Sequence, residues 1–185
     1  GTGNFLATDY DIQIGDSITF SIVEVTTPSI CSVSLTSATN GEFTYTPVAN
    51  KNGLCIVKYK ATDAFGPADS PIGTVNINLA PVPDTPIAYP VTVTIPEDVL
   101  SANLQLNAAD VDMANEGDTL TYTSTLFDLT GGTITITDAT NGKFSFQPTP
   151  DFYGTLTRQY QVTDSTGRKS NVSDITIIVQ NVNDP

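Results

Sequence analysis

The chain has 185 residues, which at roughly 100 to 150 residues per domain allows one or two domains. Seven Lys and Arg stand against twenty Asp and Glu with no His, a net charge of −13. This argues against a nucleic-acid partner, because a phosphate backbone needs a basic face to release its counterions. No apolar run approaches the roughly 18 to 20 residues that insert across a bilayer, and no signal peptide opens the chain, which reads as an internal excerpt of something longer.

Taken in order, the elements alternate with period two and are rich in Thr and Val. Strands are expected at Thr19–Val23, Glu42–Thr46, Ile56–Lys60, Thr74–Leu79, Val91–Ile95, Thr119–Thr123, Thr133–Thr137, Lys143–Phe146, Gln159–Val162 and Asp174–Val179. Gly, Asn, Asp and Pro turns separate them, and Asn40-Gly41 and Asn141-Gly142 are the clearest hairpin signals. With 39% hydrophobic residues, eight Phe and seven Tyr, the acidic chain carries enough apolar surface to fold rather than stay disordered.

Two segments repeat each other. Asn40-Gly41-Glu42-Phe43-Thr44-Tyr45-Thr46-Pro47 returns as Asn141-Gly142-Lys143-Phe144-Ser145-Phe146-Gln147-Pro148, and Ala61-Thr62-Asp63-Ala64-Phe65-Gly66 as Val162-Thr163-Asp164-Ser165-Thr166-Gly167. The constant spacing marks a tandem array of one domain type. The expected division is repeat 1 over 1–80, a Pro-rich linker over 81–86 (Pro81-Val82-Pro83-Asp84-Thr85-Pro86) and repeat 2 over 87–185. Eight acids against three bases precede Pro86, and twelve against four follow, so both repeats carry the acidic excess. The architecture expected is all-β: two tandem Greek-key β-sandwiches, the first lacking its N-terminal strand because nothing in repeat 1 corresponds to Val91–Val99.

The acids recur on turns. Repeat 2 has Glu97 after Pro96, then Asp110-Val111-Asp112, Asp164 and Asn183-Asp184; repeat 1 keeps Asp9-Tyr10-Asp11, Asp63 and Asp84 at matching places. Ala108-Ala109-Asp110-Val111-Asp112 with Thr121-Tyr122 beyond resembles the cadherin Asp-x-Asp loop that opens a strand. Val162-Thr163-Asp164 through Gly167, a strand, then Val182-Asn183-Asp184-Pro185 resembles its closing half. Phe43-Thr44-Tyr45-Thr46-Pro47 with Ala49-Asn50-Lys51-Asn52-Gly53 is similar to the cadherin-like and Ig-like repeats of large bacterial extracellular adhesins of the RTX type.

That resemblance implies Ca²⁺ sites between consecutive domains. Asp84, Asp110, Asp112 and Asp164 would serve the joint of the two repeats, Glu97 with Asn183 and Asp184 the next joint, and Asp9, Asp11 and Asp63 the previous one. The chemistry agrees, because Ca²⁺ takes six to eight oxygen ligands in flexible geometry and relieves the repulsion of gathered carboxylates. The alternative is that acidic turns hydrogen-bond their own backbones and keep the protein soluble. Asp16, Glu116 and Asp118 lie on the same loops, either as further ligands or, the preferred reading, as solvated bystanders.

Cys31 and Cys55 both fall in repeat 1, and in a surface protein an even pair suggests a disulfide between neighbouring strands; two buried thiols are the alternative. Two Cys without His cannot fill a zinc site. Asn171-Val172-Ser173 is a glycosylation sequon, meaningful only in a eukaryotic secretory host. Without His, a nucleophile elbow or a phosphate loop, nothing points to an enzyme. The function expected is a calcium-binding stalk or adhesion module of a secreted or cell-surface protein, of the kind that supports biofilm. Its partners would be neighbouring repeats and a cell-surface protein or carbohydrate ligand. Alternatives are a module that itself recognises such a ligand, or an accessory domain of a secreted hydrolase.

Overall fold

The computed structural model describes residues 1–8, 16–65, 68–115, 117–124 and 130–183, in two compact units, Gly1–Val82 and Pro83–Pro185. The first unit runs β1 (Thr2–Asn4), β2 (Ile18–Val25), β3 (Cys31–Ser37), β4 (Glu42–Pro47), β5 (Gly53–Asp63) and β6 (Gly73–Leu79). The second continues with β7 (Ile87–Tyr89), β8 (Val91–Pro96), β9 (Ser101–Gln105), β10 (Asn107–Ala109), the single-turn helix α1 (Asp112–Asn115), β11 (Leu120–Ser124), β12 (Gly132–Asp138), β13 (Lys143–Pro148), β14 (Gly154–Asp164) and β15 (Ser173–Gln180).

Each unit is a sandwich of two sheets. In the first, β1-β4-β3 faces β2-β5-β6; in the second, β9-β13-β12 faces β11-β14-β15-β8, with β7 and β10 as a separate ribbon. All ten expected strands form. The strands that alternation did not reveal have local reasons. β1, β7 and β10 are three residues long, too short to show a period. β9 contains Asn103 in left-handed backbone (φ 58°), beside a register shift in its pairing with β13. β3 does alternate, but with Ser at most outward positions.

The repeat seen in sequence is a repeat of contacts. The β3–β4 and β12–β13 hairpins turn at Gly41 (φ 69°) and Gly142 (φ 67°), whose carbonyls accept Phe5 N–H and Leu106 N–H, both at 2.8 Å. Positive φ costs an L-residue at each of these turns. Gly53 pairs with Leu79 as Gly154 pairs with Val179, so a one-residue deletion between Gly66 and Ser70 brings Ser70, Pro71 and Ile77 into correspondence with Ser170, Asn171 and Ile177.

Core packing separates the units. Ile175, Ile177 and Val179 of β15 are buried, flanked by Val91, Val93 and Ile95 of the parallel β8. Their counterparts Val75, Ile77 and Leu79 on β6 are only partly buried, because no strand among the described residues pairs with the outer edge of β6. Fully burying such a side chain is worth ~1.5–3 kcal/mol, so the first core gains less from this strand. It is reinforced elsewhere. Phe5 stacks between Phe43 and Tyr59 at 4.5 and 4.3 Å, and Cys31 and Cys55 are bonded with Cα atoms 5.9 Å apart. This bond joins β3 to β5, strands of the two facing sheets, and so crosses the core rather than tying neighbours in one sheet. At the same level of the second unit, Phe146 fills the space that a Cβ on Gly132 would enter.

Candidate functional site

The acidic loops of the second unit converge. β10 ends at Ala109, and Asp110 then caps the turn into α1, its Oδ1 accepting Asp112 N–H at 2.9 Å. Asp112 is buried, and its Oδ2 accepts the backbone N–H of Asp84 at 2.6 Å, which brings the segment before β7 to the same place. Asp118 arrives from the loop before β11. One carboxylate oxygen from each of Asp110, Asp112 and Asp118 lies within 4.8 Å of the other two.

Asp164, at the end of β14, acts on Asp110 by its charge and is not in the close triplet. Its Oδ1 accepts Thr166 Oγ1–H and Arg168 N–H, both at 2.8 Å. Asp118 Oδ1 accepts Thr119 N–H at 2.7 Å, Ser165 N–H at 3.0 Å and the Ser165 hydroxyl. These bonds leave oxygen atoms to spare: Asp110 Oδ2 and Asp164 Oδ2 are buried and make no hydrogen bond within the described residues.

Electrostatics mark the centre as strained in charge. Burial pushes the Asp110 carboxyl above its ordinary range, aided by the charges of Asp112, Asp118 and Asp164 and opposed by the Asp112 N–H. Asp118 is held below its ordinary range, chiefly by the Ser165 hydroxyl. Two buried carboxylate oxygens without donors cost free energy unless a cation or proton meets them. An all-oxygen donor set suits a hard divalent cation of the Ca²⁺ type, and neither His nor thiolate is present to favour a softer metal.

The other expected ligands are placed as follows. Asp84 reaches the cluster through its backbone N–H, and its carboxylate is not in the close triplet. Glu97 is buried at the far end of the unit, where Oε1 accepts Val182 N–H at 2.6 Å and Asn181 Nδ2–H at 3.0 Å. Asn183 is exposed, and Asp184 lies outside the described residues. In the first unit Asp63 Oδ1 accepts Phe65 N–H at 2.8 Å, an Asx-turn; Asp9 and Asp11 lie outside the described residues. Asp118, set aside from sequence, stands inside the triplet. One signal for it is present in both repeats: Asp16 accepts Ser17 N–H and Asp118 accepts Thr119 N–H, both at 2.7 Å, just before a strand.

Comparison with known proteins places this geometry in context. Residues 83–181 match the model of the bacterial cadherin-like domain, and residues 1–78 that of the bacterial Ig domain. Among solved structures the chain is similar to mouse Cadherin-23 EC22-24 (TM-score 0.68, 18% identity, 98% of this chain and 59% of that one). It is also similar to human CDH23 EC21-23 (TM-score 0.71, 18% identity, 98% and 63%). Human Mucin-like Protocadherin EC1-2 gives a TM-score of 0.61 at 14% identity over 97% and 93%. At such identities the likeness is one of fold. The chain spans 59% and 63% of the first two structures. No curated protein matches the sequence significantly.

Proposed function

The chain belongs to the bacterial cadherin-like domain family, and from that premise we propose that it is a calcium-binding stalk segment of a long, repeat-containing adhesin exposed at the cell surface. Cadherin-like and Ig-like domains are adhesion modules of extracellular type, and no helix among the described residues is long and apolar enough to cross a membrane. The observation that carries the proposal is the Asp110, Asp112 and Asp118 triplet with Asp164 beside it, two of whose buried oxygens have no donor.

In this reading Asp110 Oδ2 and Asp164 Oδ2 are ligands, with Asp112 and Asp118 completing the carboxylate set. The ion supplies positive charge where four acids meet. The protein's part is to hold three chain segments at one point: the Asp110–Asp112 turn, the loop before β11 and the end of β14. The backbone N–H of Asp84 neutralises part of Asp112 and fixes the linker-proximal chain to the same point. Bound ion would therefore stiffen the entry to the second unit, which suits a spacer.

Ca²⁺ that binds the folded site and not the dispersed chain must raise the melting temperature. The expected result is a higher midpoint for the second unit in ~10 mM Ca²⁺, above the millimolar affinities of weak extracellular modules, than in excess chelator. The shift should vanish in Asp110→Asn/Asp112→Asn, with the sandwich still folded. A midpoint identical in chelator and Ca²⁺ would refute the reading.

A further inference from the structure

The ribbon of β7 and β10 carries two limbs of the acidic centre. β7 begins three residues after Asp84, β10 runs directly into Asp110, and they pair with Ala88 opposite Ala108 and Ile87 opposite Ala109. A three-residue, two-stranded ribbon is not stable alone. Something must fasten it to the sandwich.

Two side chains do so. The Tyr160 hydroxyl lies against Tyr89 O at 2.6 Å and Asn107 O, and accepts Asn107 N–H at 3.3 Å, gripping one end of the ribbon. Asn171 grips the middle. Its Oδ1 accepts Ala88 N–H at 3.1 Å and its Nδ2 donates to Ala88 O at 3.0 Å. A carboxamide offers one acceptor and one donor in the arrangement of a peptide group, so Asn171 pairs with β7 as a neighbouring strand would. Ala88 is 2% exposed whereas Asn171 is exposed, so the carboxamide stands between the Ala88 backbone and solvent and supplies partners to both its N–H and C=O.

The first unit supplies the contrast. Tyr59, the counterpart of Tyr160, likewise donates to Leu6 O at 2.9 Å. Ser70 and Ser170 also match, each hydroxyl accepting the N–H of Ala61 or Val162 at 3.0 Å. At the next position the first unit has Pro71, which has no side-chain donor or acceptor, where the second has Asn171. The tyrosine and serine contacts thus occur in both units, whereas the carboxamide contact accompanies β7.

We propose that Asn171 is a positioning residue for the acidic centre: by pairing with Ala88 it sets β7, and through β7 the Asp84 N–H, against Asp112. The Asn171-Val172-Ser173 triplet is then a structural device rather than a glycan acceptor, since its amide is engaged with Ala88. The consequence for cation affinity rests on the calcium reading above; the positioning itself does not.

The test uses the whole chain with Asn171→Ala and Asn171→Asp. Asp keeps the shape and the acceptor for Ala88 N–H and loses only the donor, so it guards against a general failure to fold. Calorimetric titration with Ca²⁺ should show affinity about threefold to tenfold weaker in both, as expected for the net loss of a hydrogen bond that holds the ribbon. The added negative charge of Asp would by itself strengthen cation binding, so a loss there cannot be a charge effect. Hydrogen exchange in chelator should be faster at the Ala88 amide in Asn171→Ala and at the Asp84 amide in both variants, and unchanged at β13. Wild-type affinity in folded variants, or unchanged exchange at Ala88 in Asn171→Ala, overturns the proposal. If the parent chain binds no Ca²⁺ the functional reading fails on its own, and exchange at Ala88 and Asp84 still decides whether Asn171 positions the ribbon.

Discussion

Asp118 accepts from both donors of Ser165, the backbone N–H at 3.0 Å and the hydroxyl, across 47 residues of chain. This pair ties the loop before β11 to the turn after β14 and places one member of the carboxylate triplet. The hydroxyl is the chief reason that Asp118 ionises below its ordinary range. Ser165→Ala should therefore raise the Asp118 pKa towards its ordinary 3.8 while leaving Asp138 unmoved. Carboxyl-carbon NMR titration of both residues in chelator checks this; an unshifted Asp118 would show that another group holds it down.

Asp138 gives the second unit an acid-sensitive turn. Its carboxylate accepts Thr140 N–H and Asn141 N–H, both at 3.1 Å, and the Thr140 hydroxyl and Asn141 Nδ2–H, both at 2.8 Å. The Asn141 amide is the largest of the contacts that lower its pKa from 3.8 to about 2. The native state binds this proton more weakly than the unfolded chain, so the contribution is present above 3.8 and is lost as pH falls through about 2. The stability difference between parent and Asp138→Ala should be constant near neutrality and shrink across that window. Urea unfolding at a series of pH values measures it. A difference that persists below pH 2 would exclude the linkage.

The bond between Cys31 and Cys55 closes a loop of 24 residues and stabilises by about 3 kcal/mol in the chain-entropy model. Reductant should lower the unfolding midpoint of the first unit and leave the second, which has no Cys, unchanged. Intact mass before and after alkylation establishes the oxidised state, and denaturant melts with and without reductant give the change. Equal shifts in both units would contradict confinement of the effect to the first.

Gly41 and Gly142 occupy the same hairpin position, yet their surroundings differ. A Cβ on Gly41 would lie 2.8 Å from Phe5 O, a backbone atom held in place by the Phe5 N–H bond to Gly41 O. On Gly142 the nearest atoms are side chains, the Tyr122 ring at 3.0 Å and Gln105 Nε2 at 3.2 Å. Left-handed backbone alone costs an alanine roughly 1–2 kcal/mol. Gly142→Ala should cost about that much, and Gly41→Ala more, because the clashing carbonyl cannot move aside. Urea midpoints of the two variants test the order.

Much of the fold was legible because a strand declares itself locally. Thr74-Val75-Asn76-Ile77-Asn78-Leu79 alternates at every step and its relative Asp174–Val179 at all but Ile178, and the Asn-Gly pairs mark hairpins through the backbone freedom of a single residue. Spacing between Gly41 and Gly142 then exposed the tandem repeat, and the resemblance to cadherin repeats grouped Asp84, Asp110, Asp112 and Asp164. What sequence could not settle depends on which distant segments meet. Asp118 looked like any solvated turn acid until pairing of β11 with β14 set it beside Ser165. Glu97 meets the Val182 N–H and the Asn181 side-chain amide only because β8 adds parallel to β15 and both strands end together. Likewise, whether Cys31 and Cys55 lie in one sheet or face each other is decided by the stacking of two sheets. Period-two patterning specifies which side of a strand is apolar; only the long-range pairing of strands, driven by burial of those sides, specifies which loops share a pole.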